Sequence, residues 1–367
     1  MRLTITNTCP SFESYRAARV KSLFNVEDGS SFEVTADLPI DDGTWGLGLI
    51  VGPSGSGKTS LGRRVFAEDR AAGFHWPADE PIIDVIARDG DFNDATAALS
   101  SVGLGSVPSW LRPYAVLSNG EKFRADLARI ICDRPAEVVV DEFTSVVDRQ
   151  IAKVGALAFG KAWRRTGGKA VLLSCHYDII DWLDPDWVFD TATGEFTGRY
   201  LRRRPPIAVD IQETNWRWWP YFEPHHYLKL PHMIAATCYV AFVDGEPVAH
   251  LAVSTRPGLV EARACRLVVM PEWQGAGVGM RFLNAVCAAW RRGDNRYALP
   301  MPTLFHTSHP GLAAALRRDP LWTQTSGVLF GGKKECRAKG KSTLSGYGGH
   351  FRAVQGFRYI EGVDIRQ

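Results

Sequence analysis

The chain has 367 residues, 45% of them apolar and 23% charged, with a formal net charge of +3. That length exceeds one ordinary core, and the composition excludes disordered, fibrous and membrane-embedded classes. The charge is polarised: residues 1–200 hold 21 basic against 28 acidic side chains, net −7, and residues 201–367 hold 22 against 12, net +10. Such a basic half nominates nucleic acid or another polyanion as partner, although a solvated basic face beside an anionic cofactor explains it equally well. The seven cysteines (9, 132, 175, 238, 265, 287 and 336) are odd in number and scattered, without a C-x-x-C pair. They argue for a reducing cytosol and against a disulfide framework or zinc knuckle. The N-terminal "MRLTITNTCPSFESY" lacks a charged region followed by an apolar stretch, and no window holds 18 uninterrupted apolar residues. Neither export nor a membrane span is expected.

Along the first half, the apolar runs "GLGLIVG" (46–52), "AEVVVDEF" (136–143) and "AVLLSCH" (170–176) alternate with helical patterns, the order of an α/β domain with a largely parallel sheet. The first run leads into Gly52-Pro-Ser54-Gly55-Ser56-Gly57-Lys58-Thr59-Ser60, which fits G-x-x-x-x-G-K-[ST]. Glycines in that pattern let backbone N–H groups converge on phosphates at a helix N-terminus, the lysine reaches the β and γ phosphates of ATP, and the hydroxyl of Thr59 binds Mg2+. "LSNGE" (117–121) next reads as a capping box, Ser118 with Glu121, opening a helix with Phe123, Leu127, Ile130 and Ile131 on one face. The run at 138–143 ends in two carboxylates: Asp141 suits the metal shell and Glu142 can polarise an attacking water.

At "GRYLRRRPPIAVD" (198–210) a basic run meets a Pro-Pro pair, and the domain boundary is expected there. Domains are expected over 1–199 and 207–367, joined by a linker at 200–206. Beyond it, "CYVAFVDGEPVAHLAVS" (238–254) alternates around Asp244-Gly245, a type I′ hairpin signal. A strand "ACRLVVM" (264–270), a helix from Val278, a strand "TLFHTS" (303–308) and a helix "GLAAALRR" (311–318) follow. Between the first of these strands and its helix lies Gln274-Gly275-Ala276-Gly277-Val278-Gly279. Free N–H groups there would point at one anion with the helix dipole behind them. With no Lys-Thr pair to hold a metal, a metal-free diphosphate is the better guest. A dinucleotide loop is the rival, but it needs an acidic residue about twenty positions on, at the end of the next strand.

Five motifs, the phosphate loop, "LSNGEKFRADLARII", "VVVDEF", "SVVD" (145–148) and the histidine of "VLLSCH", stand in the order found in ABC-type ATPases, and residues 15–195 resemble that family. The resemblance implies that Ser118 and Gly120 cap a γ-phosphate bound on a second subunit, so that the active form is a homodimer through the ATPase domains. It also implies that His176 senses the γ-phosphate beside Glu142. Asn119 stands where the family has glycine, and the left-handed tolerance of asparagine would preserve that turn. Lys58 and Ser118 lie 60 residues apart, which leaves room only for a reduced helical subdomain. Around 73–86 no glutamine takes the coupling-loop position; both features weigh against a transporter subunit. Tyr15 or Phe24 is the candidate for stacking on adenine.

"RLVVMPEWQGAGVGMRFL" looks like the acyl-CoA loop of the GNAT acyltransferases, over about 225–330. The resemblance implies that Val268 and Val269 offer backbone groups to acetyl-CoA or another acyl-CoA, and that Gln274, Gly275, Gly277, Val278 and Gly279 hold its pyrophosphate. The whole chain resembles ABC-type ATPases fused to a predicted acetyltransferase domain. The implied fold is an α/β P-loop domain followed by an α+β GNAT-like domain. The tyrosine that commonly serves GNAT enzymes as general acid is missing from 306–322. "EPHHYLKL" (223–230) and "HTSHP" (306–310) are similar instead to Mom-type acyltransferases of Mu-like phages, which modify adenine in DNA. That similarity nominates His226 and Tyr227, with Ser308 or His309 opposite, for proton transfer, and Glu261 is a further candidate base. Lys333, Lys334, Arg337, Lys339, Lys341 and Arg352, with Phe357, Arg358 and Tyr359, place cations near aromatics as a strand-tracking groove would, or as a solvated loop would. The function expected is a bifunctional cytoplasmic ATPase and acyl-CoA-dependent N-acyltransferase acting on nucleic-acid bases. The alternative is a nucleotide-switched binding module whose second half only binds CoA.

Overall fold

The structure is a computed structural model that describes residues 2–7, 12–25, 32–40, 45–66, 72–198, 204–228, 236–255, 258, 261–328 and 353–360. The cations Lys333, Lys334, Arg337, Lys339, Lys341 and Arg352, and the linker residues before Arg204, lie outside the described residues. Two compact units emerge, Met1–His75 with Asp133–Pro205, and Trp76–Cys132 with Pro206–Gln367. The span 1–199 outlined by the ATPase motifs is thus shared between the two.

In the first unit, β1 (Arg2–Asn7) pairs antiparallel with β2 (Phe32–Asp37), with α1 (Tyr15–Phe24) between them in sequence. Then come β3 (Leu47–Val51) and α2 (Lys58–Val65). The chain next contributes to the second unit α3 (Ile82–Val85), α4 (Phe92–Ser101), α5 (Val107–Trp110) and α6 (Asn119–Asp133). It returns with β4 (Glu137–Val140), α7 (Arg149–Trp163), β5 (Lys169–Ser174), α8 (Ile180–Leu183), β6 (Trp187–Asp190) and β7 (Glu195–Gly198). The sheet order is β4-β5-β3-β6-β7, parallel except for β7. β3 is buried along its whole length, and β5 from Ala170 onward, as central parallel strands covered on both faces must be. Ile50, Leu61, Val139, Leu173, Trp187 and Phe189 meet in its core.

The second unit adds β8 (Asp210–Thr214), α9 (Trp219–Phe222), β9 (Ala236–Val243), β10 (Glu246–Thr255) and β11 (Ala262–Val269). α10 (Val278–Arg292), β12 (Thr303–Thr307), α11 (Pro310–Arg318), β13 (Trp322–Val328) and β14 (Val354–Tyr359) complete it. The order β13-β14-β12-β11-β10-β9-β8 is antiparallel apart from β11 and β12. Asp244 and Gly245 have φ of 51° and 84°, the positive pair that a type I′ hairpin demands. Trp219 and Phe222 pack with Val240, Val268 and Met270, so part of the aromatic run at 215–222 is core. Helix α4 packs against α11, which ties residues 76–132 to the C-terminal sheet.

A Cβ on Gly48 would lie 2.1 Å from the Trp187 ring, whereas on Gly198 the nearest atom is 3.9 Å away. Gly48→Ala is therefore expected to lower stability by about 1–3 kcal/mol through overpacking, read as a shift in the urea midpoint. Gly198→Ala should leave that midpoint in place.

Candidate functional site

In the parallel sheet Val51 pairs with Ser174 and Val140 with Leu172. Three neighbouring strands therefore deliver Gly52, His176 and the Asp141-Glu142 pair at one carboxyl edge, where open α/β sheets place their ligands. Gly52, Gly55 and Gly57 have φ of 149°, 78° and 83°. Any side chain at Gly52 would strike the Thr191 hydroxyl, which bonds Ser56 Oγ at 2.5 Å. The amides of Gly55, Gly57, Lys58 and Thr59 make no hydrogen bond among the described residues, and α2 has no acidic residue in its first turn. Lys58 Nζ donates to the carbonyls of Gly52 and Pro53 at 2.8 and 2.7 Å, so its ammonium lies against the loop. These groups fit a nucleoside triphosphate.

Beyond β4 the Asp141 carboxylate accepts from Glu142 N–H at 2.9 Å. Glu142 and Thr144 both occupy the left-handed region, at φ 50° and 71°, a strain that folds tolerate chiefly at working sites. Thr144 is buried, and its hydroxyl lies 3.3 Å from both His176 Nδ1 and Ser174 Oγ. Burial, then the Arg149 guanidinium, hold the His176 imidazole below its ordinary value, with Asp178 and Glu142 pulling the other way. The Asp148 of "SVVD" caps α7 through Gln150 N–H. Among the described residues no three His, Cys, Asp or Glu side chains could hold a metal by themselves. Magnesium would need Thr59, Asp141 and phosphate oxygens together.

In the second unit, the capping box at the start of α6 is formed. Ser118 Oγ donates to Glu121 Oε2 at 2.8 Å, and Ser118 N–H to the same oxygen at 2.9 Å. Ser109 Oγ donates to Glu121 Oε1 at 2.5 Å. Ser118 is exposed and Gly120 half-buried. Asn119 is the first helical residue and has no left-handed backbone; the turn expected of it is absent because the capped helix already begins there.

At the other glycine turn, Gly275 and Gly277 have φ of 94° and 85°, and Gly277 caps α10. The amides of Gly275, Gly277, Val278 and Gly279 make no hydrogen bond among the described residues, and α10 carries no acidic residue in its first turn. A Cβ on Gly279 would come within 2.8 Å of Val269, so glycine lets the helix mouth sit close to the strand. β11 pairs with β12 only at Ala262, Arg263 and Ala264. Arg266, at φ 54°, stands at a bulge against β10, and bulges bend the strand that carries them. Val268 and Val269 lie beyond the residues that pair with β12 and, among the described residues, are paired with β10 alone. Gln274 departs from the expected role. Its amide donates to Val269 O and accepts from Gly105 N–H, both at 2.9 Å, so its side chain is already engaged.

The acyl-transfer candidates separate. The Tyr227 ring lies 5.1 Å from that of His226 and 6.1 Å from that of His309, so three of them come together. His226 is buried, and its Nδ1 lies 2.6 Å from Leu228 O and 3.2 Å from Leu228 N. His309 caps α11: Nδ1 accepts from Leu312 N–H at 3.2 Å, which leaves the proton on Nε2 for the Gly105 carbonyl at 3.0 Å. Both nitrogens of His309 are thus engaged with backbone. Glu261 precedes β11, and its carboxylate accepts from Arg263 Nε at 2.9 Å. The hydroxyls of Tyr227 and Ser308 bond to nothing among the described residues. One residue was missed: His250, fully buried beside Trp216, Trp219 and Phe222, with Nδ1 3.3 Å from Arg266 O at the bulge. Burial lowers its pKa to about 4. It follows the Asp-Gly turn as one more strand residue, so no local pattern marked it.

Residues 235–316 match the family model of the acetyltransferase (GNAT) domain. No curated protein matches the chain significantly. Solved structures similar to it are ABC cassettes. One is a dimeric post-hydrolysis state of the ATP-binding cassette MJ0796 with ADP and Pi (13% identity, 45% of this chain and 88% of that one, TM-score 0.36). Another is a putative cobalt-transport ATP-binding protein (16%, 52% and 80%, TM-score 0.34). A bacterial Atm1-family ABC exporter with ATP bound is also similar (19%, 47% and 36%, TM-score 0.32). Residues 235–316 thus match a GNAT domain model, and the motif order before them resembles that of ABC-type ATPases.

The His176 ring should titrate below the ordinary histidine value of about 6.5 and be neutral at pH 7. Because Arg149 disfavours the charged ring, Arg149→Met should raise its midpoint, followed by NMR. An unchanged midpoint would remove Arg149 from the account.

Proposed function

We propose that the chain is an ATP-dependent, dimerising acyltransferase of the cytosol that moves an acyl group from acyl-CoA to an amine, with nucleic-acid bases as the acceptor class. One observation carries the reading: two glycine-bounded helix mouths have amides unpaired among the described residues, and of the two the first alone has cation-holding groups beside it. The first has Lys58, Thr59 and a strand-end Asp141-Glu142 pair, which suits ATP with Mg2+. The second has amides alone, which suits a metal-free diphosphate such as that of coenzyme A.

In the first site Lys58 and the loop amides hold the phosphates, Thr59 and Asp141 hold the metal, and Glu142 orients the attacking water while His176 contacts the γ-phosphate. Mg2+ supplies charge neutralisation on the phosphate oxygens when bound. Ser118, exposed, and Gly120, half-buried, meet the nucleotide of a second copy, which makes the dimer the working form. Tyr15 and Phe24, both exposed on α1, are available to adenine.

In the second site the amides of Gly275, Gly277, Val278 and Gly279 hold the diphosphate, and backbone of Val268 and Val269 receives the pantetheine arm. The acceptor amine attacks the thioester carbonyl, so a C–N bond forms as the C–S bond breaks. Backbone N–H groups stabilise the oxyanion. The proton lost by the amine is balanced by one delivered to the leaving sulfur, for which the Tyr227 hydroxyl, without a partner among the described residues, is the proposed donor, with Ser308 as the second hydroxyl. Net positive charge in residues 201–367 favours a polyanionic acceptor.

Purified protein incubated with ATP, Mg2+, acetyl-CoA and DNA or tRNA should yield nucleosides heavier by one acyl group in mass spectra. No gain on any base or protein lysine would overturn the transferase, and CoA binding retained in that case would favour a nucleotide-switched binding module. Tyr227→Phe should lower kcat by about 10²- to 10⁴-fold, the range for loss of a general acid, with KM nearly unchanged. Glu142→Gln should hold an ATP-bound dimer in sedimentation, and a monomer alone would defeat the composite site.

A further inference from the structure

We propose that nucleotide at the Ser118 end of α6 and acyl-CoA at the turn 274–279 strengthen each other's binding through the buried guanidinium of Arg124. The inference rests on the two ligand assignments above and adds their regulation. Both ends lie in the same compact unit.

The connection can be followed bond by bond. Ser118 Oγ donates to Glu121, and Glu121 stands one helical turn before Arg124. Arg124 Nη1 donates to the Gly103 carbonyl at 2.9 Å. Two residues on, Gly105 N–H donates to Gln274 Oε1, and the Gly105 carbonyl accepts from His309 Nε2. Gln274 in turn donates to the carbonyl of Val269, the last residue of β11. Trp110 Nε1 pins Leu104 O at 2.7 Å. A Cβ on Gly103 would lie 2.1 Å from Gln274 O, so the segment 103–105 meets the turn backbone to backbone.

Arg124 is the element that both ligands can bias. It is only 3% exposed, yet its Nε and Nη2 have no hydrogen-bond partner. Burial lowers its pKa to about 10, while the charges of Glu272 and Glu121 raise it. A buried, half-satisfied cation is costly, and its environment gains from any shift that completes its bonds. A γ-phosphate taking the Ser118 hydroxyl competes with Glu121, freeing that carboxylate toward the guanidinium. A diphosphate at the helix mouth repels Glu272, which leads into the turn, toward the same group. Ordering the guanidinium once serves both carboxylates, so the first ligand lowers the cost for the second and the coupling is positive.

Calorimetric titration of the full chain with coenzyme A, with and without a non-hydrolysable ATP analogue and Mg2+, tests this, together with the converse titration. The Kd for coenzyme A should fall about five-fold or more, the lower end of typical coupling, and the Kd of the analogue should fall by the same factor. Arg124→Met and Glu272→Gln should each bring both factors to about one while each ligand still binds alone; the second variant keeps its shape and serves if the first does not fold. Binding of both ligands without mutual effect, or coupling that survives Glu272→Gln, would overturn the inference and leave the proposed function standing. Failure of either ligand to bind the unaltered protein would instead remove the ligand assignments, and the inference with them.

Discussion

Backbone N–H groups left without partners at the mouth of a helix are the interaction on which both halves depend. A helix cannot satisfy its first amides internally, and an anion of the right shape can. At Gly57 and Gly277 the chain enters its helix from the left-handed region, which turns successive amides inward without a side chain in the way. What differs is the company. Lys58, Thr59 and the carboxylates beyond β4 add cation chemistry at one mouth. The other has a glycine packed on Val269 and a bulged strand alongside. The same backbone device can thereby receive two different phosphate-bearing ligands without confusion between them.

The second constraint is the grouping of residues 76–132 with the C-terminal sheet. In this stretch Trp76 stacks on Tyr114 at 4.7 Å, and both donate to Asp126, at 2.9 and 2.8 Å. Burial raises the Asp126 carboxyl above its usual value, against the opposing pull of those hydrogen bonds and of Arg129. Through α4 on α11, and through the glycines at 103 and 105, this segment reaches the GNAT part of the chain. Ser118 and the turn at 274–279 therefore belong to one compact unit.

The acyl site is built more from packing than from exposed acids and bases. His226 and His250 are buried among aromatics, and His309 spends both nitrogens on backbone. Burial disfavours the charged ring of His250 and of His309, lowering both below the ordinary histidine value.

The sequence by itself determined whatever depends on residues adjacent along the chain. These include the two glycine loops, the strand-end Asp141-Glu142 pair, the Ser118-Glu121 box, the Asp244-Gly245 hairpin, and the strands and helices around them. Each is written in spacing a few residues long, and local sterics enforce it. Only the tertiary structure decided which distant groups meet. It engaged Gln274 with Gly105, closed His309 on the same glycine, and buried Arg124 and His250 where no periodicity marked them as special. Those outcomes follow from how sheets and helices stack, and contacts between residues a hundred or more positions apart leave no local pattern to read.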